Sequence, residues 1–221
     1  MSMRQALALL RPLLRAIQWA PAAIAGLLAP AIIGLAVSST GTGSRELIMA
    51  LRTVAVILCI GAVFSLDDPA ASSTAATPTS LLRRRLLRVA LAMTVVAIPW
   101  GGSLWLVAHW NPPRGEKPPL TTISLEMLTL LGLTLAFAAV VARITGLDSP
   151  GSATASLLLV LVAASLLLPP TWSPWLSPGQ AAPFGQRHQW WAVAFLLSQV
   201  CFLWATREPY WRVRLRLNHN A

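Results

Sequence analysis

Long apolar runs separated by short polar segments form the dominant pattern of this chain. Six such runs are present, at residues 20–38, 46–65, 86–108, 122–143, 153–169 and 190–206. Each has about the length that an α-helix needs to cross the hydrocarbon core of a bilayer, although 153–169 is short. The pattern therefore predicts an all-α integral membrane protein with six transmembrane helices, in one domain that covers residues 1–221.

Basic residues are unequally divided between the two sides that six spans define. If the N-terminus is inside, twelve arginines fall on cytoplasmic segments, and five basic residues fall on outer segments or in the outer half of the second span. Because cytoplasmic loops are enriched in Lys and Arg, this bias predicts that both termini are cytoplasmic. A seven-span count would place the basic C-terminal tail outside and fits the bias less well.

Tryptophans gather near the predicted membrane boundaries, as interfacial aromatic rings do. The outer group is Trp105, Trp110, Trp172, Trp175, Trp190 and Trp191. The loop 169–189 is rich in Pro and Trp and carries a single formal charge, at Arg187. We expect it to cap the outer face within the headgroup layer, and whether it is re-entrant stays open.

The N-terminal segment 1–19 has the pattern of a helix that lies in the membrane interface. On a helical wheel Arg4, Arg11 and Arg15 share one narrow arc, and Ile17 faces the opposite side. Such a separation of basic and apolar faces is typical of an interfacial amphipathic helix. The alternative is a merely solvated start to the first span.

A polar segment at 66–85 separates the second and third spans on the predicted cytoplasmic side. Asp68 can cap a helix, Pro69 suits the first helical position, and Pro78 should end that helix. We expect this coupling loop to meet a soluble partner through Asp67, Asp68, Pro69 and Ala70. The arginines expected to anchor the cytoplasmic face are Arg11, Arg15, Arg83, Arg84, Arg85 and Arg88.

A similar sequence follows the fourth span on the same predicted side. Asp148, Ser149 and Pro150 repeat the Leu-Asp-x-Pro pattern of the coupling loop. The similarity is explained either by an internal repeat or by two ordinary helix starts. We include these three residues in the candidate docking surface.

The composition supports a membrane location and argues against a nucleic-acid partner. Apolar residues make up 56% of the chain and charged residues 11%, whereas a soluble domain carries roughly 25% charged residues. The net charge of +10 comes mainly from residues that flank the apolar runs, so they form no continuous basic face. Sixteen Arg against one Lys resemble the usage of high-GC bacteria, especially actinobacteria, so we expect the bilayer of a bacterial plasma membrane.

Three charged residues lie in or beside the outer halves of the spans. Arg52 lies six residues beyond Glu46 in the second span, and Glu126 lies about one turn into the fourth. Charges at such depth usually pair or face a cavity. A pair between Arg52 and either glutamate would make these three residues a candidate outer gate, and snorkelling of the side chains to the headgroups is the alternative.

The remaining chemistry of the chain argues against an enzyme. A nucleotide-binding P-loop needs a Lys after a Gly-rich turn, and Lys117 follows no such turn. Ser103 and His109 lie six residues apart on one predicted helix and so on different faces, and no residues form a metal-ligand pattern. Cys59 and Cys201 are expected to be packed thiols. The span centres lack charge, which argues against a proton or sodium relay and suits an apolar or amphipathic cargo.

The order of these segments resembles the permease subunit of an ABC exporter of the type-2 permease family. The resemblance rests on the interfacial N-terminal helix, six spans with both ends inside, and the cytoplasmic helix between spans two and three. It implies a separate ABC-type ATPase subunit, which would bind ATP and Mg²⁺ and dock on the coupling loop, and a second permease copy or homologous permease. It implies no cofactor in this chain. The alternative is a non-transport scaffold or assembly subunit that docks a cytoplasmic partner.

Overall fold

A computed structural model describes residues 18–39, 43–67, 81–110, 117–145, 149–169, 173–175 and 184–206, with side chains described except at 81–85 and 184–188. This part of the chain contains six α-helices and no strand. They are α1 (Trp19–Ser38), α2 (Ser44–Phe64), α3 (Leu81–His109), α4 (Leu120–Thr145), α5 (Gly151–Leu166) and α6 (Phe184–Thr206). The predicted all-helical fold is confirmed for the described residues, and each helix lies over one apolar run.

Five of these helices are long and apolar enough to cross a membrane, which indicates a multi-pass membrane protein. The exception is α5, which has 16 residues. At 1.5 Å per residue it is about 24 Å long, shorter than a hydrocarbon core of about 30 Å. The predicted interfacial helix at 1–19, apart from its last two residues, and most of the coupling loop lie outside the described residues.

The centre of the bundle is formed by α2 and α4. Eleven residues of α2 and twelve of α4 are buried, whereas α1 and α5 bury four each. Around this centre α1 packs on α2 and α3, α5 packs on α2 and α4, and α6 packs on α4. The outer helices expose large apolar side chains such as Leu27, Val160 and Leu197. Such faces suit a lipid surrounding, since lipid tails are as apolar as leucine.

Small residues let the helix backbones approach closely. A Cβ atom added at Gly61 of α2 would lie 2.6 Å from the Ala25 Cβ and 3.3 Å from the Ala22 Cα of α1. Such small-residue contacts are the usual means of packing helices in lipid, where hydrophobic burial between helices gains little. Cys59 is buried in α2 and Cys201 is half-buried in α6, both as free thiols.

Candidate functional site

A buried ion pair joins the two central helices. Arg52 Nε of α2 donates to Glu126 Oε2 of α4 at 2.7 Å, and Arg52 Nη2 donates to Glu126 Oε1 at 2.8 Å. The two residues are 6% and 3% exposed, so neither side chain snorkels to the headgroups. The bidentate geometry is the strongest form of Arg–carboxylate contact, and it fixes the orientation of both helices at this level.

The third candidate gate residue, Glu46, has a separate role. Its side chain is at the exposed start of α2, where Oε2 accepts a hydrogen bond from the Gly43 N–H at 2.9 Å. It therefore caps its own helix. The structure brings Arg52 and Glu126 together and leaves Glu46 about 9 Å nearer the helix end, counted as six residues of 1.5 Å.

A loop tryptophan covers the ion pair. The Arg52 guanidinium lies 5.3 Å from the centroid of the Trp175 ring, within cation–π range. Trp175 Nε1 donates to Ser165 Oγ near the end of α5 at 2.6 Å, and its ring meets Trp191 of α6 edge-on at a centroid distance of 5.4 Å. One side chain thus connects α2, α5 and α6. The sequence placed Trp175 in the outer aromatic belt and gave no sign of this role.

An apolar cavity of about 570 Å³ lies beside Trp175, within the volume range typical of small-molecule sites. It exists because α5 and α6 each pack on α4 but make little or no contact with each other. The lining residues are Leu130, Leu133, Leu161, Val162, Ser165, Ser173, Pro174, Trp175, Trp190, Trp191 and Ala194. None of these side chains is ionisable, so this surface is suited to holding apolar groups rather than to reacting with them.

The opposite end of the bundle contains a second polar cluster, centred on Asp67. Asp67 Oδ1 accepts a hydrogen bond from the Gly151 N–H at 2.8 Å, so the carboxylate caps the start of α5. Arg88 Nη1 of α3 donates to the Asp67 backbone O at 2.8 Å. Burial raises the pKa of the Asp67 carboxyl, while the Gly151 N–H and the Arg88 charge act in the opposite direction. The cluster therefore joins the end of α2 to the starts of α3 and α5.

This geometry differs from the expectation that Asp67 faces a partner, because its side chain is 4% exposed and bound within the chain. Arg88 is buried with it instead of anchoring the surface. Of the second docking segment, Ser149 is exposed and Pro150 is buried. The other expected docking or anchoring residues lie outside the described residues or have undescribed side chains: Arg11, Arg15, Asp68, Pro69, Ala70, Arg83, Arg84, Arg85 and Asp148.

Comparison with protein-family models, with curated proteins and with solved structures finds no match to this chain. Function is therefore inferred from the side chains themselves. In the described part of the chain, no three His, Cys, Asp or Glu residues lie together in a way that could hold a metal ion. What the described residues do offer is a cavity for an apolar ligand at one end of the bundle and a buried polar link between three helices at the other.

Proposed function

We propose that this chain is the membrane permease subunit of an ATP-driven ABC-type exporter that moves an apolar or amphipathic cargo. The observation that carries the proposal is the apolar cavity of about 570 Å³ between α4, α5 and α6, in a bundle that contains five helices of membrane length. Its lining holds no ionisable side chain. A proton or ion carrier would instead need ionisable groups in the binding cavity itself.

In this proposal the outer half of the path is closed by Arg52, Glu126 and Trp175. The ion pair holds α2 against α4, and Trp175 lies between the pair and the cavity. Release of cargo to the outside would require Trp175 to move or the two helices to separate. Both charges would then gain access to water, which lowers the cost of breaking their contact.

The proposed topology has six spans, with α5 as a short span, and both termini in the cytoplasm of a bacterial cell. A separate ATPase subunit would dock on the coupling loop, and a second permease copy would complete the transporter. Because Asp67 is bound to Gly151, we assign partner contact to the loop after it, beginning with Asp68. Asp67 would then transmit the movement of that loop to α5.

The test is purification of the full chain from membranes of its native host, followed by identification of its stable partners. We expect a stoichiometric protein with Walker motifs, whose ATP hydrolysis is changed by the chain. Asp68→Arg should weaken this association. The matched control is Glu46→Arg, which changes an acidic residue at the start of α2, the opposite end of that helix from Asp67.

Two results would overturn the proposal. In the first, no nucleotide-binding protein co-purifies under conditions in which the chain itself stays folded. In the second, a stable partner without nucleotide-binding motifs is found, which would support the scaffold function instead.

A further inference from the structure

We infer that the cavity is a lateral binding site for the long hydrocarbon tail of a membrane lipid or lipid-like amphiphile, which enters between α5 and α6 from the bilayer. The inference rests on the proposed function for the statement that the bound molecule is cargo. Binding itself needs only the described helices. The route also defines the ligand class, since a molecule that enters between α5 and α6 must first dissolve in the membrane.

The route follows from how three helices pack. The floor of the cavity is α4, through Leu130 and Leu133, and its two walls are α5 and α6. Because these walls pack on α4 and make little or no contact with each other, a gap separates them. Exposed apolar side chains of the lining border the gap, namely Leu161 of α5 and Trp190 of α6. A gap with apolar edges on the outside of a membrane bundle opens to lipid.

The cavity reaches from the predicted membrane boundary into the hydrocarbon layer. Ala194 lies five residues after Gln189, where the apolar part of α6 begins, and Leu133 lies thirteen residues after the start of α4. At 1.5 Å per residue these positions are about 8 and 20 Å into their apolar segments. In a hydrocarbon core of about 30 Å both levels lie within the apolar layer.

Polar groups of Ser165, Trp175 and Trp191 in the lining are already hydrogen-bonded within the chain. Ser165 Oγ donates to the Val162 backbone O and accepts from Trp175 Nε1, each at 2.6 Å. Trp191 Nε1 is directed to the Pro174 backbone O at 3.4 Å. Because these groups already have hydrogen-bond partners, a hydrocarbon tail that lies against them leaves none of them unpaired. A polar solute would lose its own hydrogen bonds there.

The experiment uses the full chain in phospholipid nanodiscs that contain a small fraction of a phospholipid with a photoreactive diazirine in the middle of one acyl chain. After illumination, mass spectrometry locates the adducts. We expect adducts concentrated on Leu133, Leu161 and Ala194, in excess over exposed residues outside the cavity such as Leu28. Annular lipid alone would label exposed residues at the same depth equally.

One pair of variants tests occupancy of the cavity. Ala194→Phe fills it, and Val193→Phe adds the same bulk on the neighbouring exposed position. We expect Ala194→Phe to reduce adducts on Leu133 roughly tenfold, because a tenfold loss of affinity corresponds to about 1.4 kcal/mol, which is within the usual cost of overpacking. Val193→Phe should leave these adducts unchanged. If Ala194→Phe does not fold, Leu161→Trp takes its place on the opposite wall.

The inference is overturned if the adducts are spread evenly over cavity and exposed positions, or if filling the cavity does not change them. It is also overturned if Ala194→Cys forms a disulfide between two chains, because a second copy would then occupy the gap. These outcomes are independent of ATPase co-purification. If an ATPase co-purifies but the cavity is not labelled, the lateral site is refuted and the permease proposal stands. If the cavity is labelled but no ATPase co-purifies, the permease proposal is refuted and the lateral site stands.

Discussion

Removal of one partner from the Arg52–Glu126 pair should strongly destabilise the fold. The perturbation is Glu126→Gln, which keeps the shape of the side chain and removes its charge. Arg52 then remains 6% exposed among apolar side chains, with its charge uncompensated. Breaking a buried pair in this way typically costs about 3–5 kcal/mol.

The geometry supports a value in that range. Two charge-assisted hydrogen bonds of 2.7 and 2.8 Å are at stake, each worth about 1.5–3 kcal/mol when a charged group takes part. The glutamine amide can still accept one of them, so the hydrogen-bond loss is about 1.5–3 kcal/mol, and the uncompensated charge of buried Arg52 adds the rest. Trp175 compensates little, since a cation–π contact is worth about 0.5–2 kcal/mol and is already present.

A double-mutant cycle in nanodiscs measures this coupling through the free energy of unfolding. Arg52→Met and Glu126→Gln should each be destabilising, and the combined variant should recover most of the loss because no unpaired charge remains. Glu46→Gln is the control, since it removes an exposed acid at the start of the same helix. If both single variants cost less than about 1 kcal/mol and their effects simply add, the ion pair does not hold the helices together.

Three further predictions concern the helix contacts and Asp67. Gly61→Ala should destabilise by about 1–3 kcal/mol because its Cβ would meet Ala25 at 2.6 Å, whereas Gly34→Ala, which has open space, should be neutral or stabilise by up to about 1 kcal/mol in thermal unfolding. Gly151→Ala places a Cβ 2.6 Å from Asp67 Oδ2, so we expect it to lower the free energy of unfolding by about 1–3 kcal/mol. This loss should be smaller in an Asp67→Ala background, and equal losses in both backgrounds would contradict the contact. Because the folded-state pKa of Asp67 is raised, its stabilising contribution is complete below the unfolded value of about 3.9 and is lost as the pH rises through the folded value. The melting temperature of the wild type minus that of Asp67→Asn should therefore fall with rising pH. If this difference does not change with pH, the pKa of Asp67 is not raised in the folded state.

The helices could be predicted from the sequence because an apolar run in lipid must satisfy its backbone hydrogen bonds internally. Their ends were less predictable. Helix α3 begins at Leu81, five residues before the apolar run at 86–108, and α6 begins at Phe184, six residues before the run at 190–206. In both cases polar residues continue the helix beyond the apolar stretch. Hydropathy therefore marks the part of a helix that suits lipid, not its full length.

The sites were predictable only in part, because each depends on helices that are distant in sequence. Arg52 and Glu126 stand out as charges in apolar runs, but the packing of α2 on α4 is what selects Glu126 over Glu46. Trp175 gives no such signal, since its role depends on the path of a loop across three helices. Asp67 belongs by its sequence to the expected docking surface, but its side chain is buried and accepts a hydrogen bond from the Gly151 N–H, which lies 84 residues away.

The position of α5 explains how the two ends of the molecule are related. Its buried residues are Gly151, Thr154, Ala155 and Leu158, which share one face of its first half, while its second half borders the cavity. The helix is thus packed where Asp67 caps it and has little or no α6 contact where the cavity lies. A rotation of α5 about its packed half would change the width of the gap far more than it would change the contacts of the core. Asp67, just after α2, is hydrogen-bonded to Gly151 at the start of α5, so in the proposed transporter a signal received by the coupling loop would reach one wall of the cavity directly.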